Sequence, residues 1–535
     1  MKLCSPWFAG ALAIVCASTR VLAQSSGAPV VLKPDAYRHY VTTFKYQEQL
    51  ATGQDGVDSW PWMLREIPWF SSSDKQFEEM YYFRWYAWQK HLVKTKTGWV
   101  ITEWLPKPEV QDGFFGALPD ATTFHVREAR WLKDKSIAED DMRYWFSPEA
   151  DPHKYSTAMA DAARAVRLAN GDREFETSLL PAMVKNERAW DVQRDSNGLY
   201  WSIDTRDAME KSISGDGYRP TLNSYMFGED EAIAATASEA GNVAAEAEYK
   251  ARAERMRGLI EQHLWNPKDQ FYEVVSPAQD SGIRKQKKFL DNGTALQVSG
   301  VRELIGYSPW VFDEAPSGHD VAWTQLFDPK GFAGEYGPTT AERRSPRFRF
   351  ASSDQCTWNG PSWPFATTQT LTALANLLDD GHKQSVMDAT GYMKLFGAYV
   401  KSQHIKLKDG AVIPWIDEDL DADTDEWIAK DMLLAKNKQV GRGNYYNHSG
   451  FADPLITGLI GLRPEAGDEI VVKPLARSWT YFALDGLPYH GHTLAIVWDA
   501  TGKQYGHGRG LMLIVDGKMV AERKQLGELR YTLPR

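Results

Sequence analysis

The spacing of apolar residues changes once along this 535-residue chain. Up to about Leu462, apolar residues recur every three or four positions, and turn-forming pairs such as Gly241-Asn242 interrupt the runs, which predicts amphipathic helices joined by loops. After Pro464, short segments alternate apolar and polar residues, which predicts β-strands. We therefore predict a mainly α-helical domain over residues 24–463 and a small C-terminal β-sandwich over residues 464–535.

Helical periodicity is clearest in four stretches, and strand-like segments within the helical part are short. The four stretches are residues 155–170, 229–265, 367–378 and 383–401, and the short segments are 99–104 and 270–275. A long succession of helices and loops suits a toroid of helix pairs. Because the loops then collect at one end of the barrel, we expect the functional site at that end.

The first 23 residues have the pattern of a secretory signal peptide. Lys2 precedes an apolar run from Trp7 to Ala17, and small or compact residues lead to a cleavage point after Ala23. A membrane anchor is the alternative, but the run is shorter than the roughly 20 residues that a spanning helix needs, and no other stretch is suitable. We expect an exported protein without a membrane partner, in which Cys356 is the one remaining cysteine and no intrachain disulfide forms.

Charge and aromatic content point to the class of partner. The chain has 61 Lys and Arg against 71 Asp and Glu, a net charge of -10, and no dense basic stretch, so nucleic acid is not an expected partner. It also has 21 Trp, 23 Tyr and 22 Phe. Indole faces stack on the apolar faces of sugar rings, while sugar hydroxyls bind acids, amides and Arg. We therefore expect a carbohydrate partner.

The segment from Leu199 to Asn223 mixes acids, arginines and aromatic residues ahead of a predicted helix. This mixture suits a sugar-binding loop, although a solvated loop with incidental charges is an equal alternative. Its candidate residues are Trp201, Asp204, Arg206, Asp207, Glu210, Tyr218, Arg219 and Asn223.

A second segment, Pro414 to Glu426, has seven carboxylates in thirteen residues and follows the pattern PWIDEDLDADTDE. Acids at alternate positions can bind calcium, but the segment lacks the central Gly of the helix-loop-helix calcium pattern, and we predict no metal. The remaining alternatives are an exposed acidic turn and a single buried glutamate among exposed neighbours.

Two further segments combine rigid and polar residues. Trp358 to Pro364 (WNGPSWP) forms an aromatic corner ahead of a helix, with Asn359 between two tryptophans that could wall a sugar pocket. Gly441 to Asp453 is polar and Gly-rich, and its His448 is more often a structural hydrogen-bonding residue than a catalyst. The triplets starting at Asn447 and Asn292 also fit the N-glycosylation pattern.

Other chemistries have weaker support. The sequence has no Gly-x-Ser-x-Gly elbow, no phosphate-binding Gly-rich loop with Lys and no His-Glu-x-x-His. Cys356 has no histidine nearby in sequence that would make it a nucleophile, so a buried thiol is the expected role.

In their order and spacing, these segments resemble the six-hairpin (α/α)6 glycosidases of the mannosylglycerate hydrolase-like group, which is related to glycoside hydrolase family 63 and more distantly to trehalases. The resemblance extends from about Trp60 to the C-terminal β-module. In that group a Gly-Met-Asp-Asn-Ser segment contains the general acid and precedes a Leu-Asn-containing helix. Here Ala208-Met209-Glu210-Lys211-Ser212 occupies that place, with Leu222-Asn223 downstream. The resemblance implies that Glu210 is the acid, with Asp207 as the reserve candidate.

The family's base segment has a Glu, an Asp or Asn three residues later, and then Pro-x-Thr-Gly. Glu418, Asp421, Ala422, Thr424 and Asp425 follow that spacing, with Ala for Pro and Asp for Gly. The resemblance therefore implies that Glu418 is the base, with Asp417 behind it. It also implies that the WNGPSWP corner helps to line the glycone subsite.

Together these features predict a secreted inverting exo-glycosidase that acts on α-linked bonds, with a gluco- or manno-configured glycone and without a cofactor. Glu210 would protonate the leaving oxygen and Glu418 would activate water, with the two carboxyls about 6.5–9.5 Å apart. The predicted sugar-contacting residues are Trp201, Asp204, Arg206, Arg219, Asn223, Trp358, Asn359, Trp363, Trp415 and His448. The alternatives are a glycoside phosphorylase and a non-catalytic carbohydrate-binding protein on the same fold.

Overall fold

The structure is a computed structural model that describes residues 28–105, 116–277, 296–350, 357–379, 384–435 and 441–534. The predicted signal peptide, Cys356 and the Asn292 triplet lie outside the described residues. The helices are α1 (Arg38–Thr52), α2 (Trp60–Glu66), α3 (Lys75–Trp88), α4 (Thr122–Ala129), α5 (Ser136–Trp145), α6 (Met159–Asn170), α7 (Arg173–Ala189), α8 (Pro220–Glu239), α9 (Val243–Leu264), α10 (Ser308–Val311), α11 (Pro364–Asp379), α12 (Ala389–Ser402), α13 (Ile428–Ala435) and α14 (Ala452–Pro454).

The helices form the predicted (α/α)6 toroid, in which buried inner helices pair with outer helices that have one solvent face. Helix α8 is buried on almost every side, as an inner helix must be. Its partner α9 buries one stripe, formed by Tyr249, Ala253, Met256, Ile260 and Leu264. The turn between them uses Gly241 at φ 72°, and Asn242 caps α9 by accepting from the backbone N–H of Ala245 at 3.1 Å.

The helical predictions are confirmed with shifted ends. The stretches 155–170 and 367–378 correspond to α6 and α11, and 229–265 divides into the second half of α8 and all of α9 at the predicted turn. Helix α12 begins at Ala389, later than the predicted start, because Asp388 caps it by accepting from the backbone N–H of Gly391.

The strands are β1 (Trp69–Ser72), β2 (Leu92–Lys94), β3 (Trp99–Ile101), β4 (Trp201–Ser202), β5 (Gly217–Tyr218), β6 (Trp265–Asn266), β7 (Phe271–Tyr272), β8 (Val275–Pro277), β9 (Leu296–Val298), β10 (His404–Lys406), β11 (Val412–Pro414), β12 (Leu462–Arg463), β13 (Glu469–Val472), β14 (Tyr481–Tyr489), β15 (His492–Asp499), β16 (Gly510–Val515), β17 (Lys518–Arg523) and β18 (Leu529–Thr532). The C-terminal strands form two antiparallel sheets, with strand orders β1-β14-β15-β16-β17 and β12-β13-β18.

The first strand of the chain belongs to the C-terminal sheet. Trp69 of β1 pairs with Asp485 of β14, and the antiparallel register continues to Ser72 and Phe482. Asp485 also accepts hydrogen bonds from the backbone N–H groups of Val30 and Leu32 at 3.1 and 2.7 Å. The C-terminal sheet therefore includes a strand from the helical part of the chain, a pairing that no local sequence pattern encodes.

None of the helices in the described part of the chain is long and apolar enough to cross a membrane.

Candidate active site

One cleft gathers side chains from widely separated parts of the chain, and its lining is rich in acids and aromatic rings. Its lining residues are Glu103, Trp104, Leu118, Asp120, Tyr155, Ala208, Glu210, Trp358, Trp363, Glu418, Arg442, Tyr446 and His448. The cavity measures about 60 Å³. Small-molecule pockets typically measure about 300–1,000 Å³, so a sugar ring can enter only when lining side chains move apart.

A larger groove of about 390 Å³ lies beside α12. Its lining is mostly apolar, and its Arg343 and Asp423 form an ion pair at 2.7 Å. Acid–base chemistry needs titratable groups that converge on one point, and the acid-lined cleft has that property. We therefore place the candidate active site in the smaller cleft.

Glu210 enters the cleft from the loop between β4 and β5. Ala208 and Lys211 on either side of it have φ values of 56° and 59°, a left-handed conformation that is uncommon for residues other than Gly and concentrates at functional sites. Burial raises the pKa of Glu210, and the nearby charge of Glu418 raises it further. A raised pKa keeps a carboxyl protonated, which is the state a general acid requires.

Glu418 faces the same cleft and is 4% exposed. Its Oε1 lies 3.4 Å from Nη2 of Arg442, which lines the cleft as well. Its backbone N–H donates to Oδ1 of Asp417 at 2.9 Å. The guanidinium places a positive charge next to this carboxyl.

Asp417 lies behind Glu418 in a packed and charged environment. Burial raises the pKa of Asp417 to about 6, while the Lys430 ammonium, 4.0 Å away, lowers it. The Lys430 ammonium also lies over the Trp415 ring at 4.4 Å. Gly443 packs so closely that a Cβ there would lie 1.8 Å from Oδ1 of Asp417. Asp417 thus connects the loop of Glu418 to the loop that contains Arg442.

The WNGPSWP corner contacts Glu210 and the segment that follows Glu418. The Trp358 indole Nε1 donates to Oε2 of Glu210 at 3.1 Å. Ser362 and Leu420 exchange two backbone hydrogen bonds of 2.9 and 3.1 Å, which joins the corner to the segment that follows Glu418. Trp358 and Trp363 stack on one another with ring centroids 4.1 Å apart. The corner therefore holds both catalytic candidates in addition to lining the cleft.

A second pair of carboxyls, Glu103 and Asp120, also lines the cleft and was missed by the sequence analysis. Tyr446 donates its hydroxyl hydrogen to Oε1 of Glu103. Burial raises the pKa of Glu103 well above its usual range and that of Asp120 to about 7. The one sequence signal for this pair is the acid–tryptophan dipeptide Glu103-Trp104 that follows β3; Asp120, Tyr155, Arg442 and Tyr446 had none.

His448 lines the cleft as a neutral ring, because burial lowers its pKa well below the usual range. It packs on the Tyr446 ring with centroids 4.3 Å apart. The neighbouring Asn447 is fully buried, and its side chain accepts from Arg84 at 2.8 Å and donates to the Thr102 carbonyl at 3.0 Å. Asn447 is therefore inaccessible to a glycan, and its triplet is a chance match.

Several predicted site residues lie behind the loop of Glu210 and do not line the cleft. Asp207 and Arg219 form a fully buried ion pair at 2.5 Å, and the Asn223 side chain bonds to the backbone of Tyr200 at 2.8 and 2.9 Å. Asp207 is thus committed to a structural contact, which leaves Glu210 as the candidate acid of this loop. The sequence does not distinguish two acids that are three residues apart, because the folded backbone determines which side chain faces the cleft.

The other predicted contacts also lie outside the lining. Asp204 bonds with Ser212 at 3.4 Å, and Arg206 lies over the Trp190 ring at 6.0 Å. Trp201, Asn359 and Trp415 do not line the cleft either. Of the predicted set, the structure brings together Glu210, Glu418, Trp358, Trp363 and His448.

The acidic segment 414–426 differs from both structural alternatives. Asp417, Glu418 and Asp419 are all buried, so the expectation of a single buried glutamate was wrong. Asp421 and Asp423 instead form ion pairs with Arg349 and Arg343. Among the described residues, no group of three or more His, Cys, Asp or Glu is placed to hold a metal ion.

Residues 115–449 match the family model described as Mannosylglycerate hydrolase MGH1-like glycoside hydrolase domain. The chain belongs to this family. The matched residues include both Glu210 and Glu418 and cover more than half of the chain. The matched family is one of glycoside hydrolases, and the resemblance to six-hairpin glycosidases related to family 63 is confirmed.

Solved structures place the family member among glycosidase folds. A chain named Sialidase is 34% identical, with a TM-score of 0.83, and the match covers 95% of this chain and 45% of that chain. This chain thus spans less than half the length of that chain. The α-L-rhamnosidase from Dictyoglumus thermophilum is 12% identical, with a TM-score of 0.51, over 81% of this chain and 43% of its own, and shares the fold alone. The GH63 mannosylglycerate hydrolase from Thermus thermophilus, in complex with glucose, is 13% identical, with a TM-score of 0.48, over 70% of this chain and 98% of its own.

Proposed function

We propose that this glycoside hydrolase is a secreted, inverting exo-glycosidase that cleaves α-linked glycosidic bonds, with a gluco- or manno-configured glycone. Glu210 donates a proton to the departing glycosidic oxygen, while Glu418 accepts a proton from a water that attacks the opposite face of the sugar ring. The supporting observation is that these two carboxyls, distant in the sequence, meet in one buried cleft with different surroundings.

The different surroundings of Glu210 and Glu418 suit one carboxyl to the role of acid and the other to the role of base. Burial and the charge of Glu418 favour the protonated form of Glu210 by raising its pKa, whereas the guanidinium of Arg442 lies 3.4 Å from Glu418. A carboxyl that burial keeps protonated and a carboxyl beside a positive charge can serve as acid and base at the same pH.

The name Sialidase belongs to a chain more than twice as long as the matched region. Sialidases depart from the two-carboxyl mechanism because they use a Tyr nucleophile. The cleft of this chain is lined by four carboxyls and one Arg. That charge balance disfavours an anionic sugar as the glycone.

The proposal is tested by following sugar release from a panel of α- and β-linked disaccharides and aryl glycosides, with and without inorganic phosphate. We expect release of a free monosaccharide from an α-gluco- or α-mannoside, independent of phosphate, with loss of release in Glu210→Gln. Formation of a sugar phosphate that requires added phosphate would identify a phosphorylase instead. Release of sugar only from β-linked substrates would contradict the proposed linkage.

Export is tested separately, by expressing the full chain and determining the N-terminal residue of the protein outside the cell. We expect Gln24, since the signal pattern ends at Ala23. A product that keeps Met1 and stays with the cells would contradict export.

A further inference from the structure

Arg219 is a buried charge that the proposed reaction does not use. It is fully buried, and it follows β5 directly, where α8 begins at Pro220. Its carbonyl oxygen accepts from the backbone N–H of Asn223 at 3.3 Å and from the Asn223 side chain at 2.9 Å. Taking a guanidinium out of water is costly unless its donors are satisfied, so the placement of this side chain needs an explanation.

The guanidinium of Arg219 donates hydrogen bonds to the loop that contains Glu210, on both sides of that residue. The acceptors are Oδ2 of Asp207 at 2.5 Å, Sδ of Met209 at 3.3 Å, Oγ of Ser212 and Oγ of Ser214 at 3.4 Å, and the carbonyl oxygen of Gly215. Each acceptor belongs to a near neighbour of Glu210 in the sequence. Arg219 therefore affects Glu210 through the backbone of the loop.

Glu303 holds the second half of the same loop from a distant part of the chain. It is 2% exposed, and its Oε1 accepts from the backbone N–H groups of Ile213 and Ser214 at 2.8 and 3.2 Å. The Ser214 hydroxyl also donates to Oε2 of Glu303. A buried cation and a buried anion therefore support the loop together, and Ser214 bonds to both of them.

The loop needs this support because part of its backbone is in an unfavourable conformation. Ala208 and Lys211, on either side of Glu210, have φ values of 56° and 59°. Residues other than Gly keep such a conformation only where the surrounding structure holds them in it. When the supporting contacts are removed, a loop of this kind relaxes, and the direction of the Glu210 carboxyl changes with it.

Arginine is the residue type that supplies this set of bonds. A guanidinium presents five donors in a rigid planar fork, whereas the ammonium of Lys is a compact charge at the end of a flexible chain. A Lys at position 219 would keep a positive charge beside Asp207, but it would not also reach Met209 and Ser214 in other directions.

We propose that Arg219 is a positioning residue that holds the carboxyl of Glu210 in the cleft, with Glu303 completing the support. This inference rests on the proposed function, because it takes Glu210 as the general acid. Arg219 is not one of the residues that line the cleft, so it acts by fixing the distance between the Glu210 carboxyl and the leaving oxygen. A displacement of about 1 Å in such a group lowers the rate on the order of 100-fold.

The test compares two substrates that differ in their need for the acid. A disaccharide that the enzyme cleaves needs protonation of its leaving oxygen, whereas a dinitrophenyl group departs without it. In Arg219→Lys, which keeps the buried charge, we expect kcat/KM to fall about 10- to 100-fold on the disaccharide and less than about 3-fold on the dinitrophenyl glycoside. A merely structural role would lower both rates by one factor, the fraction of folded protein. Equal losses on the two substrates, or no loss on either, would overturn the inference.

Ser214→Ala decides the question if Arg219→Lys does not fold. This substitution removes the hydroxyl that accepts from Arg219 and donates to Glu303, and it leaves both buried charges in place. We expect the ratio of kcat/KM on the dinitrophenyl glycoside to kcat/KM on the disaccharide to rise about 3- to 10-fold above that of the wild type. A ratio equal to that of the wild type would refute the positioning role.

Arg167→Lys is the matched control. Arg167 is also a buried arginine, 6% exposed, but it belongs to α6 and forms an ion pair with Glu239 at 3.2 Å. It does not line the cleft. Its Lys variant should therefore keep the substrate ratio of the wild type.

The Glu210→Gln variant, measured on the same two substrates, separates this inference from the proposed function. A loss that is equal on both substrates in Glu210→Gln would remove Glu210 as the acid. A selective loss on the disaccharide in Glu210→Gln, together with wild-type ratios in Arg219→Lys and Ser214→Ala, would keep the acid and remove only the role of Arg219.

Discussion

Trp358 bonds to Glu210 twice: its indole Nε1 donates to the side-chain Oε2 and its backbone N–H donates to the carbonyl oxygen, both at 3.1 Å. Four residues later, Ser362 is joined by two backbone hydrogen bonds to Leu420. One corner of seven residues therefore fixes the positions of the proposed acid and the proposed base, which come from distant parts of the chain. Catalysis depends on such fixed geometry, because a small misplacement of either carboxyl lowers the reaction rate strongly.

Removing the indole hydrogen bond should change both rate and pH profile. The bond from Trp358 lowers the pKa of Glu210, against the raising effect of burial. In Trp358→Phe we therefore expect kcat to fall about 10- to 100-fold while the alkaline limb of the pH–rate profile moves to higher pH. Trp190→Phe is the control, since the Trp190 indole N–H has no hydrogen-bond partner among the described residues. An alkaline limb that moves to lower pH would contradict the role given to Trp358.

The acid and base roles predict different responses to the leaving group. An aryl group that departs without protonation does not need the acid, but every substrate needs the base. We expect Glu210→Gln to lose about 10²- to 10⁴-fold in kcat/KM on a disaccharide and much less on a dinitrophenyl glycoside. Glu418→Gln should lose a similar factor on both substrates. If Glu418→Gln were the variant that spared the dinitrophenyl glycoside, Glu418 would be the acid and Glu210 the base. If both variants lost the same factor on both substrates, the two residues could not be assigned separate acid and base roles.

The close approach of Gly443 to Asp417 predicts a positional effect. A Cβ at residue 443 would lie 1.8 Å from Oδ1 of Asp417, so Gly443→Ala must push apart the loops of Arg442 and Glu418. We expect kcat/KM to fall about 10-fold or more, as a shift near 1 Å would produce. Gly467→Ala, where an added Cβ meets nothing within 4 Å, should have the activity of the wild type. Unchanged activity in Gly443→Ala would show that this contact does not position Glu418.

Buried carboxyls away from the cleft predict how stability depends on pH. Burial raises the pKa of Asp141 and of Glu314 to about 8. The folded protein then holds these protons more tightly than the unfolded chain does, so their stabilising contribution is complete below about pH 4 and is lost as pH rises through about 8. We expect a higher Tm at pH 5 than at pH 9, with each pH unit between the two pKa values of one group corresponding to about 1.4 kcal/mol.

The variants Asp141→Asn and Glu314→Gln check this origin, because an amide does not titrate. Each variant should lose less Tm between pH 5 and pH 9 than the wild type does. A Tm that rises from pH 5 to pH 9, or a wild-type slope that both variants retain, would contradict it.

The parts of this fold that depend on local pattern were predictable from the sequence. Helices α6 and α11 and the turn between α8 and α9 follow from periodicity and from Gly241, and the order of the motifs identified Glu210, Glu418 and the tryptophan corner. Contacts between distant segments were not predictable in the same way. Nothing near Trp69 indicates that it pairs with Asp485, and nothing near Glu103 indicates that Tyr446 bonds to it.

The direction in which a side chain points was the second feature that could not be predicted from the sequence. Asp207 and Glu210 lie three residues apart in one loop, but Asp207 pairs with Arg219 behind the loop and Glu210 faces the cleft. In the same way, composition could not show that Asp417 and Asp419 are buried beside Glu418 while Asp421 reaches Arg349. The backbone path decides these directions, and residue identity does not.

The most direct test of the assignment of Glu210 and Glu418 is the anomer of the sugar at the moment of its release. An α-gluco- or α-mannoside that the wild-type enzyme cleaves is followed by proton NMR in the first minutes, before mutarotation mixes the products. We expect the β anomer to appear first, because a water activated by Glu418 attacks the face opposite the leaving group. Initial release of the α anomer would mean that the enzyme retains configuration, and Glu418 could not then be acting as the base for a direct attack by water.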